Sequence, residues 1–224
     1  MPELRPPVIA IDGPSASGKG TVAQGVAAAL GFRYLNSGAL YRTVALAAAD
    51  GGVRLEDESG LVAIARNLRA KFLGDTVVLD GRDVTDAIRT EEISAAASRV
   101  AANAAVRAAL LDRQRDFRNP PGLVADGRDM GSVVFPDAAL KIFLTASPEE
   151  RAARRYKQLM GKGMSANMTA LLQDIQARDS RDSGRTVAPL QKCADAVPLD
   201  TTHMSVAEAV AQVLALYRQA PGAP

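Results

Sequence analysis

Val8-Ile9-Ala10-Ile11-Asp12-Gly13-Pro14-Ser15-Ala16-Ser17-Gly18-Lys19-Gly20-Thr21 is the stretch on which the reading of the whole chain turns. Val8 to Ile11 form a short apolar run of β-branched type, as expected of a parallel strand covered on both faces. A Gly-rich turn follows, then a helical pattern. Gly13 and Gly18 admit backbone conformations closed to other residues, so that successive N–H groups from about Ser15 to Thr21 can point inward at an anion. The N-terminal dipole of the next helix favours the same occupant. Lys19 supplies a mobile positive charge suited to β- and γ-phosphates, and Thr21 a hydroxyl near the phosphates or a magnesium ion. A phosphate-binding loop between a first strand and a first helix is therefore expected.

The strict loop pattern wants Ser or Thr directly after the Lys, whereas Gly20 stands there and Thr21 comes one place later. This order is similar to the Gly-Lys-Gly-Thr variant of nucleoside monophosphate kinases. It leaves no direct protein ligand for magnesium assigned from the loop.

At 224 residues with net charge +2, the chain can bury a full core and shows no general polyanion surface, so no nucleic-acid polymer is expected as partner. Arg outnumbers Lys by 21 to 6. The Ala-rich composition points to GC-rich codon usage for most of these, with a site rich in bidentate oxyanion forks as the competing reading. Cys193 and His203 are each alone, which excludes an intramolecular disulfide, a Cys/His metal cluster and a Ser-His-Asp triad. No uncharged apolar run approaches the roughly 18 residues needed to span a bilayer, and prolines in 1–7 stand where a signal peptide needs a hydrophobic segment. A cytoplasmic protein without membrane contact is expected.

Along the chain, Val22, Val26, Ala29 and Leu30 recur at helical spacing before Gly31, which suits a helix end, giving a helix over about 20–30. Phe32 to Leu35 reads as a strand. Asn36-Ser37-Gly38-Ala39-Leu40-Tyr41-Arg42 opens a helix to about Ala49, and Ser37 at its start reads as a cap or, with Arg42, as half of a second phosphate site. After a polar linker over 51–60, a helix over 61–69 leads to strands at 71–73 and 76–79 and a tight Asp80-Gly81 turn. These antiparallel elements suggest an inserted subdomain over 61–102 in a single domain of 1–224. A long Ala-rich helical stretch from 91 to 109 breaks near Asn103.

Gly122 to Asp129 is an apolar strand ending in Asp126, with Arg128 and Asp129 just beyond. Ligands of open α/β sheets lie beyond the strand carboxyl ends, which puts these three beside the phosphate loop, where Asp126 can hold magnesium through water. A strand over 139–144 precedes Ser147-Pro148-Glu149-Glu150, a helix-start signature. The helix carries Arg151, Arg154 and Arg155, and its Gly161 or Gly163 end makes 151–166 a candidate lid. From Leu171 and Ile175 the apolar stripe continues into Arg178, Asp182 and Arg185, so this helix should run from core into a polar cleft. Arg178 and Asp182 lie four apart, where an ion pair can steady the carboxylate. Val197 to Asp200 reads as the last strand, 206–216 as a closing helix, and the chain from Gln219 as frayed.

Strands alternating with helices, a phosphate loop after the first strand and an antiparallel insertion give an α/β P-loop kinase fold with a central parallel sheet flanked by helices. At this point the sequence resembles the bacterial cytidylate kinases over nearly its whole length. The resemblance rests on Ile-Asp-Gly-Pro-Ser near the start, Asn-Ser-Gly-Ala-Leu-Tyr-Arg at 36–42, Ala-Asp-Gly-Arg-Asp-Met-Gly-Ser-Val-Val-Phe-Pro at 125–136 and Arg-Asp-Ser-Arg-Asp at 178–182. It implies an ATP-dependent kinase of CMP and dCMP, with 61–102 as its monophosphate-binding subdomain.

The resemblance also implies the site. Gly13, Pro14, Ser15, Ala16, Ser17, Gly18, Lys19, Gly20 and Thr21 would bind ATP, with Arg151, Arg154 and Arg155 closing on it from the lid. Ser37, Arg42, Arg128 and Arg185 would hold the CMP phosphate, Ser98, Arg107 and Asp129 would read cytosine, and Arg178 and Asp182 would hold the sugar. Asn36 stands where many relatives have Asp, so Asp126 remains the acidic candidate. Lys19, Arg128, Arg185 and Asp126 are the expected catalytic group, with Mg2+ accompanying ATP and the enzyme working as a monomer. Competing readings are a kinase for UMP or another small acceptor, and a nucleotide switch, against which the chain lacks an Asn-Lys-x-Asp guanine-reading segment.

Overall fold

β1 (Val8–Asp12) is the central strand of a five-stranded sheet, and all five of its residues are buried. A computed structural model of the chain describes residues 5–74, 76–161 and 163–220. Continuous β-branched sequence at Val8, Ile9 and Ile11 is what a strand flanked by partners and covered on both faces requires. β1 pairs in parallel with β6 (Leu123–Gly127) and β7 (Leu140–Thr145), and β7 pairs in parallel with β8 (Val197–Asp200). β2 (Arg33–Asn36) takes the other edge, so the order is β2-β6-β1-β7-β8.

The chain divides into two compact units, one of residues 1–35 with 117–224 and one of residues 36–116. In the first, α1 (Lys19–Leu30) and α8 (Val206–Gln219) bury Val22, Val26, Ala209 and Val213 against Ile9, Ile11, Val124 and Ile142 of the sheet. Gly31 ends α1 in the left-handed region at φ 66°, as its position after Leu30 leads one to expect, and a Ser205–Glu208 capping box starts α8. α8 runs through Gln219, the residue at which fraying was expected. α6 (Pro148–Gly161) and α7 (Met168–Ser183) pack together in this unit.

The second unit holds α2 (Ser37–Asp50), α3 (Glu58–Arg66), α4 (Glu91–Val100), α5 (Ala104–Arg115) and an antiparallel sheet of β3 (Ala70–Leu73), β4 (Thr76–Leu79) and β5 (Arg82–Asp83). Asp80 and Gly81 both have positive φ, the type I′ geometry that matches the twist of a two-residue hairpin. The segment 61–102 lies wholly inside this unit, which extends further at both ends because α2 packs on α4 and α3 on α5. α3 begins at Glu58 rather than Leu61, since Asp57 accepts from Gly60 N and starts the helix inside the expected linker. The long helical stretch breaks where Asn103 becomes the N-cap of α5, which then continues to Arg115.

None of the helices searched among the described residues is long and apolar enough to cross a membrane. The first four residues, the last four, and Lys162 within the 151–166 stretch lie outside the described residues.

Candidate active site

Backbone geometry shapes the loop after β1 in the way an anion cradle requires. Ala16 (φ 57°) and Gly18 (φ 88°) both occupy the left-handed region, and Gly18 is the N-cap residue of α1. Alternation of this kind turns successive N–H groups to one side. A left-handed Ala costs of order 1 kcal/mol, strain of the kind found at functional sites. Gly13 is required by close approach, because a Cβ there would lie 2.0 Å from the Leu144 carbonyl oxygen. Lys19 is buried, and its Nζ donates to the Pro14 carbonyl at 3.0 Å. Thr21 is exposed on the first turn of α1.

Position 20 explains the departure from the strict loop pattern. A side chain at Gly20 would enter a space bounded by the Tyr34 hydroxyl at 3.4 Å and Asp126 Oδ2 at 3.6 Å. The Tyr34 hydroxyl donates to that Asp126 carboxylate. A tyrosine and an aspartate therefore face the place where other loops carry a hydroxyl. Tyr34 was not legible as a site residue, being one aromatic among the apolar positions of a short strand.

Burial and charge act together on Lys19. Desolvation, and then the positive charge of Arg128, pull its pKa from 10.5 down to about 7, while Asp126 and Asp182 oppose them. The loop lysine, the β6 end and α7 thus share one electrostatic environment. Asp182 is buried, with Arg128 Nε on Oδ2 at 2.7 Å and Arg185 on Oδ1. Desolvation raises its pKa, but Arg128 and Arg185 outweigh that, and the carboxyl lies below its usual range. Arg178 adds its charge to both Lys19 and Asp182. Arg128 and Arg185 thus hold the carboxylate directly, alongside the charge of Arg178 that the four-residue spacing led one to expect. Arg185 lies beyond Gly184, where α7 ends, rather than on the helix as its spacing suggested.

Asp12, which sequence reasoning left unassigned, fixes the segment after Asp129. Its two oxygens accept from Met130 N and Gly131 N at 2.8 Å each, pinning the π-helical turn Met130–Val134. Burial raises its pKa to about 6 against the pull of those two amides. An aspartate ending an otherwise apolar buried strand was the available signal. Asp129 is itself buried immediately before the turn.

Of the three α6 arginines, two grip the phosphate loop by its carbonyls. Arg151 Nη1 donates to Ser15 O at 3.1 Å, and Arg154 Nη1 to Ser17 O at 3.1 Å. Arg154 also donates to the Thr201 carbonyl at 2.5 Å. Arg155 Nη1 donates to Gln158 one turn along its own helix. Ser17 Oγ is buried with no hydrogen-bond partner among the described residues.

The second unit has its own clusters. Asn36, not Ser37, caps α2: its Oδ1 accepts from Ala39 N at 2.9 Å and from Arg42 Nη2 at 3.4 Å. Ser37 is therefore the buried first residue of the helix, and its hydroxyl is not spent on capping. A Cβ at Gly38 would lie 3.0 Å from Arg42 Nη1, so the absent side chain lets the guanidinium fold back over the helix start. Ser37 and the folded-back Arg42 guanidinium both lie at the start of α2. Arg107 is buried, donates to Ala101 O at 3.1 Å and lies over the Tyr41 ring at 5.6 Å. Ser98 Oγ is buried with no hydrogen-bond partner among the described residues, an open donor and acceptor.

The donor set fits a magnesium ion that arrives with nucleotide. No group of three or more ligating side chains converges among the described residues, whereas Asp126 offers a hard carboxylate beside the loop. Magnesium keeps several waters and takes one or two carboxylates plus phosphates, which such a site can supply.

A family model described as Cytidylate kinase matches residues 9–219 of the chain. A protein named cytidylate kinase from Nitrosomonas europaea is 56% identical over 220 residues, 98% of this chain and 99% of its own. Another of that name from Burkholderia pseudomallei is 59% identical over 213 residues, 95% of this chain and 93% of its own. Among solved structures, a gluconokinase from Sinorhizobium meliloti shares the fold with a TM-score of 0.50 at 18% identity, over 96% of this chain and 93% of its own. The loop after β1, the strand that carries Asp126 and the Arg178–Asp182 segment all fall inside the matched span, and the chain belongs to the cytidylate kinase family.

Proposed function

We propose that the chain transfers the γ-phosphoryl group of ATP to CMP and dCMP, giving ADP with CDP or dCDP. The observation that carries this reading is the buried Lys19 of a phosphate loop in the field of Arg128, Arg178, Asp126 and Asp182. One anion site alone would suit a binder. Arginines gathered on a buried carboxylate beside the loop suit a second anionic substrate with a hydroxyl-bearing sugar.

An oxygen of the CMP phosphate attacks the γ-phosphorus, and the bond from that phosphorus to the β–γ bridging oxygen breaks. The attacking oxygen is already ionised, so no strong base is needed and catalysis is positioning plus charge neutralisation. The loop amides and Lys19 hold the donor phosphates, and Lys19 follows the charge that moves toward the bridge. Arg128 and Arg185, with Ser37 and Arg42, bind the acceptor phosphate. Arg178 and Asp182 hold the sugar, Asp182 accepting from a ribose or deoxyribose hydroxyl. Ser98, Arg107 and Asp129 read cytosine, with the buried unpartnered Ser98 hydroxyl supporting that role. Mg2+ bound with ATP would supply charge neutralisation for the transferred phosphoryl group, and Asp126 would hold it. The 61–102 segment serves as the monophosphate-binding subdomain and 151–166 as a lid that excludes water, without which ATP would be hydrolysed.

A coupled assay of purified protein with ATP, magnesium and each nucleoside monophosphate tests the reading. CMP and dCMP should be the preferred acceptors. Turnover faster with UMP or with a purine monophosphate would overturn the substrate assignment.

A further inference from the structure

Arg151 ties three segments together through one planar fork. Its Nη1 donates to the Ser15 carbonyl of the phosphate loop at 3.1 Å and meets Asp179 Oδ2 on α7 at 2.7 Å, while its Nε donates to the Ala146 carbonyl just after β7 at 3.0 Å. The Arg151 side chain is 5% exposed and that of Asp179 24%, so the arginine end of the pair is withdrawn from water and the carboxylate end is partly so. Asp179 lies three residues before Asp182, on the same side of α7. Its Oδ1 is buried without a hydrogen-bond partner among the described residues, which leaves Arg151 as the group holding the carboxylate in place. A displacement of α7 therefore reaches Ser15 through a short and rigid path.

Arg154 supplies the contrast within the same helix. It grips the next part of the loop, at Ser17 O, but its other partners are Thr201 after β8 and Glu150 one turn back, not α7. Two arginines of similar geometry thus connect the loop to different places.

We propose that Arg151 and Asp179 are positioning residues that couple the two nucleotide sites. α7 carries Arg178 and Asp182 toward the acceptor, and Asp179 passes the resulting helix position through Arg151 to the Ser15 carbonyl of the donor loop. The proposal rests on the reading of Arg178 and Asp182 as sugar-holding residues. By linkage the effect is reciprocal: each nucleotide strengthens binding of the other by the same factor.

Isothermal titration of a non-hydrolysable ATP analogue with magnesium, with and without saturating CMP, measures that factor. In wild type CMP should tighten the analogue about tenfold, within the usual range of such couplings. Asp179→Asn, which keeps size and removes charge, and Arg151→Gln should each bring the factor to within about twofold of unity, with CMP alone still bound nearly as in wild type. Arg154→Gln should weaken the analogue yet keep the factor, a result that general damage to the loop would not give. Should Arg151→Gln fail to fold, by circular dichroism, the milder Asp179→Asn decides. Retention of the wild-type factor in Asp179→Asn overturns the proposal, as does a wild type that phosphorylates CMP but shows no mutual tightening. A wild type that binds no CMP fails the acceptor reading first and takes the coupling with it, so the two failures are told apart.

Discussion

ATP binding should take up a proton above neutral pH, and the proton should go to Lys19. Burial first, then Arg128, holds this lysine at about 7 instead of 10.5, so near neutrality it is only partly charged. A triphosphate on the loop reverses the balance by setting several negative charges against the ammonium. At pH 8 a group with a pKa of about 7 is roughly one-tenth protonated, so restoring its ordinary value takes up about 0.9 proton per ATP. The same arithmetic makes the affinity for ATP fall about 50-fold between pH 7 and pH 9. Asp12, at about 6, is already ionised across this window, and so is a terminal phosphate whose last ionisation lies near ~6. Isothermal titration at pH 8 in buffers of different ionisation enthalpy counts the protons. Lys19→Arg carries a charge that cannot be lost and should abolish the uptake. Uptake near zero in wild type, or equal uptake in Lys19→Arg, refutes the reasoning. The sign for folding follows from the same shift: the unfolded chain holds the extra proton between about pH 7 and about pH 10.5, so this group adds stability as pH rises through that window.

Asp129→Ala and Arg107→Met should each raise KM for CMP by about tenfold or more while changing KM for ATP far less, since a site built to hydrogen-bond a ring loses discrimination when one partner goes; equal effects on both substrates would indicate general damage. Asp182→Ala should lower kcat with CMP and dCMP by about tenfold or more, whereas a dideoxy monophosphate, which lacks the hydroxyls in question, should lose only the smaller part that comes from the counter-charge to Arg128 and Arg185; steady-state kinetics on the three acceptors reads this, and an equal loss on all three would remove the sugar contact and leave Asp182 as counter-charge alone. Asp12→Ala strands the buried amides of Met130 and Gly131 and should lower stability by roughly 2–4 kcal/mol in urea denaturation; a loss under 1 kcal/mol would mean that the turn finds other partners.

The first strand, its loop and α1 were legible because three independent signals coincide there: a β-branched buried run, two glycines at turn positions and an apolar helical repeat. The inner face of α7 was legible for a similar reason, since Leu171, Ile175 and Asp182 keep one register and all are buried. What the sequence hid were choices between neighbouring residues and between partners. Asn36 and Ser37 are both good capping residues, and only backbone geometry places Asn36 at the cap. Arg151 and Arg154 carry charge of the sign that a triphosphate attracts, but their bonds to Ser15 and Ser17 carbonyls depend on long-range packing of α6 that no local pattern records. The same holds for Tyr34, whose hydroxyl meets Asp126 from 92 residues away. The bounds of the second unit were also hidden, because α2 reads as an ordinary helix after a strand until its packing on α4 is seen.

The pairing of Asp182 with Arg128 and Arg185 answers a problem that a site for two anions creates. Guanidinium groups gathered for phosphates repel one another and would swing apart toward solvent if nothing opposed them. A buried carboxylate among them holds the forks in place before substrate arrives, and the depressed pKa of Asp182 keeps that carboxylate ionised despite its desolvation. An arriving phosphate then adds acceptors to arginines that are already oriented, so little reorganisation remains for the transfer step. On the proposed reading Asp182 has two separable jobs, contact with the sugar and counter-charge to the forks. Loss of the first depends on the hydroxyls of the acceptor, whereas loss of the second weakens every phosphate acceptor alike, which is why the dideoxy comparison measures each on its own.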